Sequence, residues 1–180
     1  MIAEEDLVHD LKQAGTRSQA FEVLVNNYKQ RLYWHIRRIV LNHDDTDDVL
    51  QNTFIKVYKN IEGFKGDSKL YSWMYRIATN EALTHLKNKS KRMGISDGEL
   101  QSRLVENLKA DVYFEGDAIQ LKLQEAIATL PEKQKLVFNM KYFEELKYEE
   151  VSEILGTSVG ALKASYHLAV KKIEAFLKED

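Results

Sequence analysis

The 180-residue chain has no cysteine and a single proline, Pro131. The first absence excludes a disulfide framework, a thiolate zinc site and cysteine catalysis. The second, together with only eight glycines, leaves little to interrupt long helices. Valine and threonine do not gather in alternating runs, so no strand is expected and the fold class reads as all-α. No apolar run approaches the roughly 20 residues that span a bilayer, so no membrane insertion is expected. The first six residues, Met-Ile-Ala-Glu-Glu-Asp, are acidic where a signal peptide is basic and then apolar. A cytoplasmic location is the expectation.

Chemistry is also missing. There is no phosphate-cradling glycine-rich loop and no Gly-x-Ser-x-Gly element, so catalysis and a bound cofactor are not expected. His9, His35, His43, His85 and His167 show no paired helical spacing, and satisfied or solvated histidines explain them better than a metal site. Asp44, Asp45, Asp47 and Asp48 could form a cation site. A helix N-terminal cluster is the simpler reading, because carboxylates there complement the helix dipole.

What is present is a globular composition, 44% hydrophobic and 30% charged, too apolar for a disordered chain. The net charge of −2 hides an asymmetry. Between Lys65 and Arg92 seven Lys or Arg face two acids, whereas between Gly94 and Asp117 six acids face two bases. A near-neutral total therefore does not argue against a nucleic-acid partner, since binding follows local charge density.

Periodicity divides the chain into two small helical domains, 1–92 and 118–180, joined by an acidic linker at 93–117. The first domain begins with a short amphipathic helix over about 2–14. Phe21, Leu24, Val25, Tyr28, Leu32, Ile36 and Ile39 then recur at helical spacing. Asn42-His43-Asp44-Asp45 ends that second helix and offers capping oxygens for a third, over about 46–61, with Leu50, Phe54, Val57, Tyr58 and Ile61 on one face. A turn at 63–68 precedes a long helix over 69–92. The linker shows weak periodicity and reads as mobile, with room for a short helix around 100–108. Helices are expected in the second domain over about 118–130, 132–144, 148–155 and 159–178.

Two patterns bear on function. Tyr148 to Gly160 has the form of a helix-turn-helix: Val151, Ile154 and Leu155 give an apolar face, Gly156 marks the sharp turn, and Thr157-Ser158 offers a cap. On the next helix Val159, Leu162, Tyr166, Ala169, Val170, Ile173 and Leu177 fall on one side. Gly160, Lys163, Ala164, His167 and Lys171 fall on the other, where small residues allow close approach to base edges in a major groove. The alternative is a plain helical hairpin with a solvated face. In the first domain Lys69, Trp73, Arg76, Asn80, Thr84, Lys87 and Lys91 lie within about 60° of one line along the long helix. Tyr71, Met74, Ala78 and Ala82 lie opposite as a core face. A tryptophan beside Arg76 and Asn80 suits stacking on unpaired bases, with lysines tracking phosphates. The alternative is a core tryptophan on a merely solvated helix.

Together these segments resemble the extracytoplasmic-function (ECF) sigma factors of the sigma-70 family. The resemblance rests on Asp47-Asp48-Val49-Leu50-Gln51-Asn52-Thr53-Phe54-Ile55, on Phe64-Lys65-Gly66-Asp67-Ser68, and on Tyr71 to Asn80. It extends to Leu130-Pro131-Glu132-Lys133-Gln134 and Tyr148-Glu149-Glu150-Val151, all in the family's order. It implies a region 2 domain, a linker and a region 4 domain, with core RNA polymerase, promoter DNA and an anti-sigma factor as partners. Asp48, Gln51 and Asn52 would face the polymerase's clamp helices. Phe64, Asp67, Ser68 and Asn80 would hold a base flipped from the −10 element, with Lys69, Trp73, Arg76 and Lys87 along the same DNA. Gly160, Lys163, Ala164, His167 and Lys171 would meet the −35 element, and the linker would thread toward the RNA exit path.

Two other readings compete. A stand-alone helix-turn-helix regulator would leave the basic-aromatic stripe without a task, and no apolar heptad offers it a dimer seam. A helical adaptor that binds only protein would have no use for Trp73, Arg76, Asn80 and Lys163. Two departures from the family pattern remain: Asn52 stands where Glu is usual, and Ser165, Leu168 and Val170 stand where arginine is common. Each missing cation weakens phosphate attraction. Residues 118–180 alone are therefore predicted to bind duplex promoter DNA more weakly than nanomolar at physiological salt, as a fluorescence anisotropy titration would read.

Overall fold

Leu24, Leu32, Ile36 and Val40 recur at helical spacing along α2 (Arg17–Val40) and are fully buried. Each such side chain contributes about 1.5–3 kcal/mol by leaving water. Around that stripe, the computed structural model, which describes residues 2–179, sets α1 (Glu4–Lys12), α3 (His43–Asn60) and α4 (Leu70–Met93). No strand occurs among the described residues. Leu7 and Leu11 of α1, Val49, Phe54 and Val57 of α3, and Met74, Ala78 and Ala82 of α4 complete the bundle's core.

The ends of these helices show where local chemistry and packing divide the work. Helix α3 begins at His43, three residues before the sequence-based start, because Asn42 takes the cap: its side-chain oxygen accepts the Asp45 N–H at 2.8 Å. On its apolar face Leu50 is only half-buried and Tyr58 is exposed, its ring edge-on to Phe21 at 5.0 Å. Helix α4 has no local cap, since Lys69 supplies no side-chain bond. Glu4 closes it from 66 residues away, accepting the Leu70 N–H at 2.8 Å.

The acidic stretch expected to be mobile contains α5 (Asp97–Leu108). It begins three residues ahead of the short helix expected there, because Ser96 and Glu99 form a capping box. Leu100, Leu104, Val105 and Leu108 are buried, and α5 packs on α4 and on α6 (Ala118–Ala128). The remainder of the stretch is tied to α2: Arg37 donates to the Asp111 carboxylate at 2.5 Å, and Tyr113 stacks on His43 with ring centres 3.8 Å apart.

In the second domain Asp117 caps α6 through the Gln120 N–H, and Pro131 leads into α7 (Glu132–Tyr142). Then come α8 (Tyr148–Leu155) and α9 (Val159–Lys178), with the bounds that the periodicity gives. Ala126, Ile127, Leu130, Phe138, Ala169 and Ile173 form a small core of their own. Leu136, Val137, Met140, Leu146, Val151, Ile154 and Leu162 instead belong to the core that continues into the first bundle. The domains are folded against one another, with α8 on α4 and α7 on α2.

Replacing Glu4 leaves the first turn of α4 without a side-chain acceptor. Glu4→Ala is expected to lose about 1 kcal/mol, the usual worth of a helix cap. Thermal unfolding by circular dichroism should show a midpoint roughly 2–4 °C lower.

Candidate nucleic-acid interface

Helix α4 is two-sided because its inner side is filled: with Met74, Ala78 and Ala82 fully buried, Arg76, Asn80, Thr84, Lys87 and Lys91 are turned outward and exposed. Tyr71, placed by pattern on the core side, is only half-buried and points its hydroxyl at Glu150 of α8. Trp73 is half-buried, its ring tilted by 49° against Phe64 at 5.2 Å. The Phe64 ring is itself buried, 5% exposed, so it underlies Trp73 and does not stand free beside the loop. Lys12 fixes the start of that loop by donating to the Phe64 carbonyl at 2.6 Å. Gly66 follows with φ +78°, a left-handed turn that favours glycine. The turn leaves Asp67 exposed and Ser68 half-buried ahead of the helix.

The helix-turn-helix has the expected joints. Gly156 ends α8 with φ +66°, its N–H returning to the Ser152 carbonyl at 2.8 Å. The Ser152 hydroxyl donates to the Thr157 carbonyl at 2.7 Å, pinning the turn, and Ser158 caps α9 through the Ala161 N–H. Leu162, Ala169 and Ile173 are buried and Tyr166 and Val170 half-buried, whereas Leu177, assigned to the same side, is exposed at the helix end. Gly160, Lys163, Ala164, His167 and Lys171 are all exposed. A β-carbon at Gly160 would meet nothing within 4 Å, so neither packing nor backbone conformation requires glycine there.

Asp48, Gln51 and Asn52 are exposed on α3 and share a shallow depression of about 310 Å3 with His85, Asn88 and Arg92 of α4. One turn earlier, Asp45 ties the two helices: its carboxylate is 2.5 Å from Lys89 Nζ and 3.3 Å from His85 Nε2. Burial pushes the Asp45 carboxyl up, but the Lys89 hydrogen bond and the charges of Lys89 and His85 outweigh it and hold it below the ordinary range. The two helices therefore present this face as a unit.

Sequence reasoning missed the groups that join the domains. Glu150 accepts from the Tyr71 hydroxyl and lies 3.4 Å from Lys69 Nζ. Burial raises the Glu150 carboxyl, and those contacts with the Lys147 N–H reverse the effect and lower it. Glu144 reaches His35 at 2.8 Å, making His35 a buried, satisfied histidine. These partners lie about 80 and 109 residues apart in the chain, so no local pattern could reveal them.

A helix with an exposed basic side beside a half-buried tryptophan, and a helix-turn-helix whose second helix is exposed on its outer side, are features shared by DNA-binding proteins. Residues 24–92 match Sigma-70 region 2 and residues 120–173 match Sigma-70, region 4. The ECF RNA polymerase sigma-E factor of Haemophilus influenzae is 30% identical, over 96% of this chain and 94% of its own length. The ECF RNA polymerase sigma factor SigW of Bacillus subtilis is 31% identical, over 94% and 95%. Among solved structures, CnrH in complex with the cytosolic domain of CnrY superposes with a TM-score of 0.72 at 22% identity, covering 99% of both chains. The sigma factor RpoE of Bartonella quintana, in complex with the anti-sigma factor NepR, gives 0.66 at 18% identity, over 89% and 98%. The chain belongs to the ECF sigma factors of the sigma-70 family, which direct transcription initiation by bacterial RNA polymerase.

The pH sign for Asp45 follows from its lowered value. A carboxyl depressed on folding contributes stability that is fully present above its ordinary value of 3.8 and is lost as pH falls through the folded one. The stability difference between the protein and Asp45→Asn, read by urea unfolding, should shrink steadily below about pH 4, as the Asp45 carboxylate is protonated.

Proposed function

We propose that this chain brings core RNA polymerase to promoters by reading a −10 element with α4 and its preceding loop and a −35 element with α9. In this reading the region 2 domain spans 1–92, the linker 93–117 and the region 4 domain 118–180. Asp48, Gln51 and Asn52 dock on the clamp helices of the polymerase's largest subunit. Asp67, Ser68 and Asn80 surround a base flipped from the melted strand, and Trp73, backed by Phe64, stacks beside it; such stacking is worth about 1–3 kcal/mol per base. Lys69, Arg76 and Lys87 follow the phosphates.

At the −35 element α9 enters the major groove with Gly160, Lys163, Ala164, His167 and Lys171. Gly160 carries this part of the reading: nothing inside the protein requires glycine there, and a partner pressed close from outside gives it a reason. The protein performs no chemistry of its own and acts in the cytoplasm by binding and by stabilising unpaired DNA. An anti-sigma factor holds it in reserve, a reading supported by the complexes in which CnrH and RpoE were solved.

The test is transcription in vitro with core polymerase from a related bacterium on genomic fragments. Specific start sites are expected only when the protein is added. Gln51→Ala should abolish them through lost polymerase binding, measured by co-sedimentation. Asn80→Ala should abolish them while polymerase binding persists. A protein that neither binds core polymerase nor yields new start sites would overturn the assignment.

A further inference from the structure

A cavity of about 450 Å3 opens where α2, α4 and α5 meet the turn from α6 into α7. Its walls are aliphatic: Leu41, Leu83, Leu86, Leu100, Ile127 and Leu130 line it, and no aromatic ring of the described residues does. Leu41, Leu83 and Leu86 are only half-buried, so the fold leaves part of their apolar surface uncovered. The volume lies at the small end of the range that holds small ligands, about 300–1,000 Å3. Exposed Lys87, Asp97 and Glu132 stand at its mouth.

Two polar side chains line this space from α7, and neither is satisfied inside the protein. Lys135 is half-buried, and its ammonium makes no hydrogen bond or ion pair with any described residue. Burial pushes it below the ordinary lysine range, and the charges of Glu132 and Asp97 recover only part of that shift. Asn139 is 6% exposed, yet its side-chain amide also bonds to no described residue. Only its backbone carbonyl is engaged, by the N–H groups of Phe143 and Glu144. A buried amide ordinarily finds a partner, and leaving one without costs free energy that an incoming group would recover. Four residues apart, Lys135 and Asn139 lie on one side of the helix, one turn above the other.

The other charges around the cavity are already answered. The Arg38 guanidinium lies over the Phe143 ring and 3.8 Å from the Glu144 carboxylate. Asp97 accepts from the Ser90 hydroxyl at 2.8 Å and sits in the first turn of α5, as Glu132 sits in the first turn of α7. Both acids are stabilised there by the helix dipole. The charge left without a partner is the Lys135 ammonium.

We propose that this cavity binds a medium-chain aliphatic carboxylate, its head group held by Lys135 and Asn139 and its chain laid against the leucines. A carboxylate answers the ammonium with one oxygen and the amide N–H with the other. Aliphatic walls suit a flexible hydrocarbon better than an aromatic ring, whose added gain comes from stacking on other rings. Binding is measured on the free chain, so the proposal stands apart from the promoter-reading assignment.

Isothermal titration calorimetry of the full-length chain with hexanoate, octanoate and decanoate tests it. One equivalent of decanoate should bind. Each added methylene should tighten Kd about threefold to fourfold, the worth of one buried CH2. Octanol, which lacks the charge, should bind about tenfold more weakly than octanoate. Lys135→Met keeps the length of the side chain, removes its charge and should weaken decanoate by about the same factor. Ala128→Trp narrows the cavity from α6, leaves Lys135 and Asn139 in place and should also weaken decanoate. No saturable binding of decanoate, a Kd that ignores chain length, or octanol binding as tight as octanoate would overturn the proposal. So would undiminished binding by either variant with an unchanged circular dichroism spectrum.

Discussion

Everything in this molecule depends on how α4 is buried. Met74, Ala78 and Ala82 leave water completely between α2 and α3, and that burial fixes the rotation of the helix about its axis. Once the rotation is set, Arg76, Asn80, Thr84 and Lys87 have no other direction than outward. The same helix receives α8 on a further flank, so the element assigned to read one DNA site also carries the other domain.

Packing and charge play separate parts here. The apolar core runs from α1 through α4 into α7, α8 and α9, and it supplies the non-directional attraction that keeps the chain folded. Direction comes from a few polar contacts: Glu4 at the start of α4, Asp45 between α3 and α4, Arg37 with Asp111, and Glu144 and Glu150 between the domains. Several of these draw on the acids that make the linker region and the second domain's turn negative. The charge asymmetry seen along the sequence is thus partly neutralised inside the fold, by bases of the first domain.

The helix-turn-helix was readable because its signals are local. Gly156 in a left-handed turn, Ser158 as a cap and an apolar face through Leu162 and Ile173 all act within one or two helical turns, and the bounds of α8 and α9 follow from them. The same holds for the outward face of α4, whose period is written in the residues themselves. Phe64 was harder. Its place in a motif suggests contact with DNA, yet its burial beneath Trp73 is decided by α1 and by the loop geometry. The linker misled in part because acidic composition suggests mobility, whereas four apolar side chains and a capping box were enough to fold α5 onto its neighbours.

By itself the sequence determined where most of the helices lie and which side of each is largely apolar, because these depend on interactions between residues a few positions apart; the cap of α4 is not among them, since Glu4 supplies it from 66 residues away. It also determined the family, through the order and spacing of its motifs. Only the tertiary structure decided that the two domains close on each other, that Tyr71 turns to Glu150, and that His35 meets Glu144 across 109 residues of chain. Such contacts bring together groups whose separation in sequence carries no periodic signal. They form only after the packing of the helices has set the distances between them.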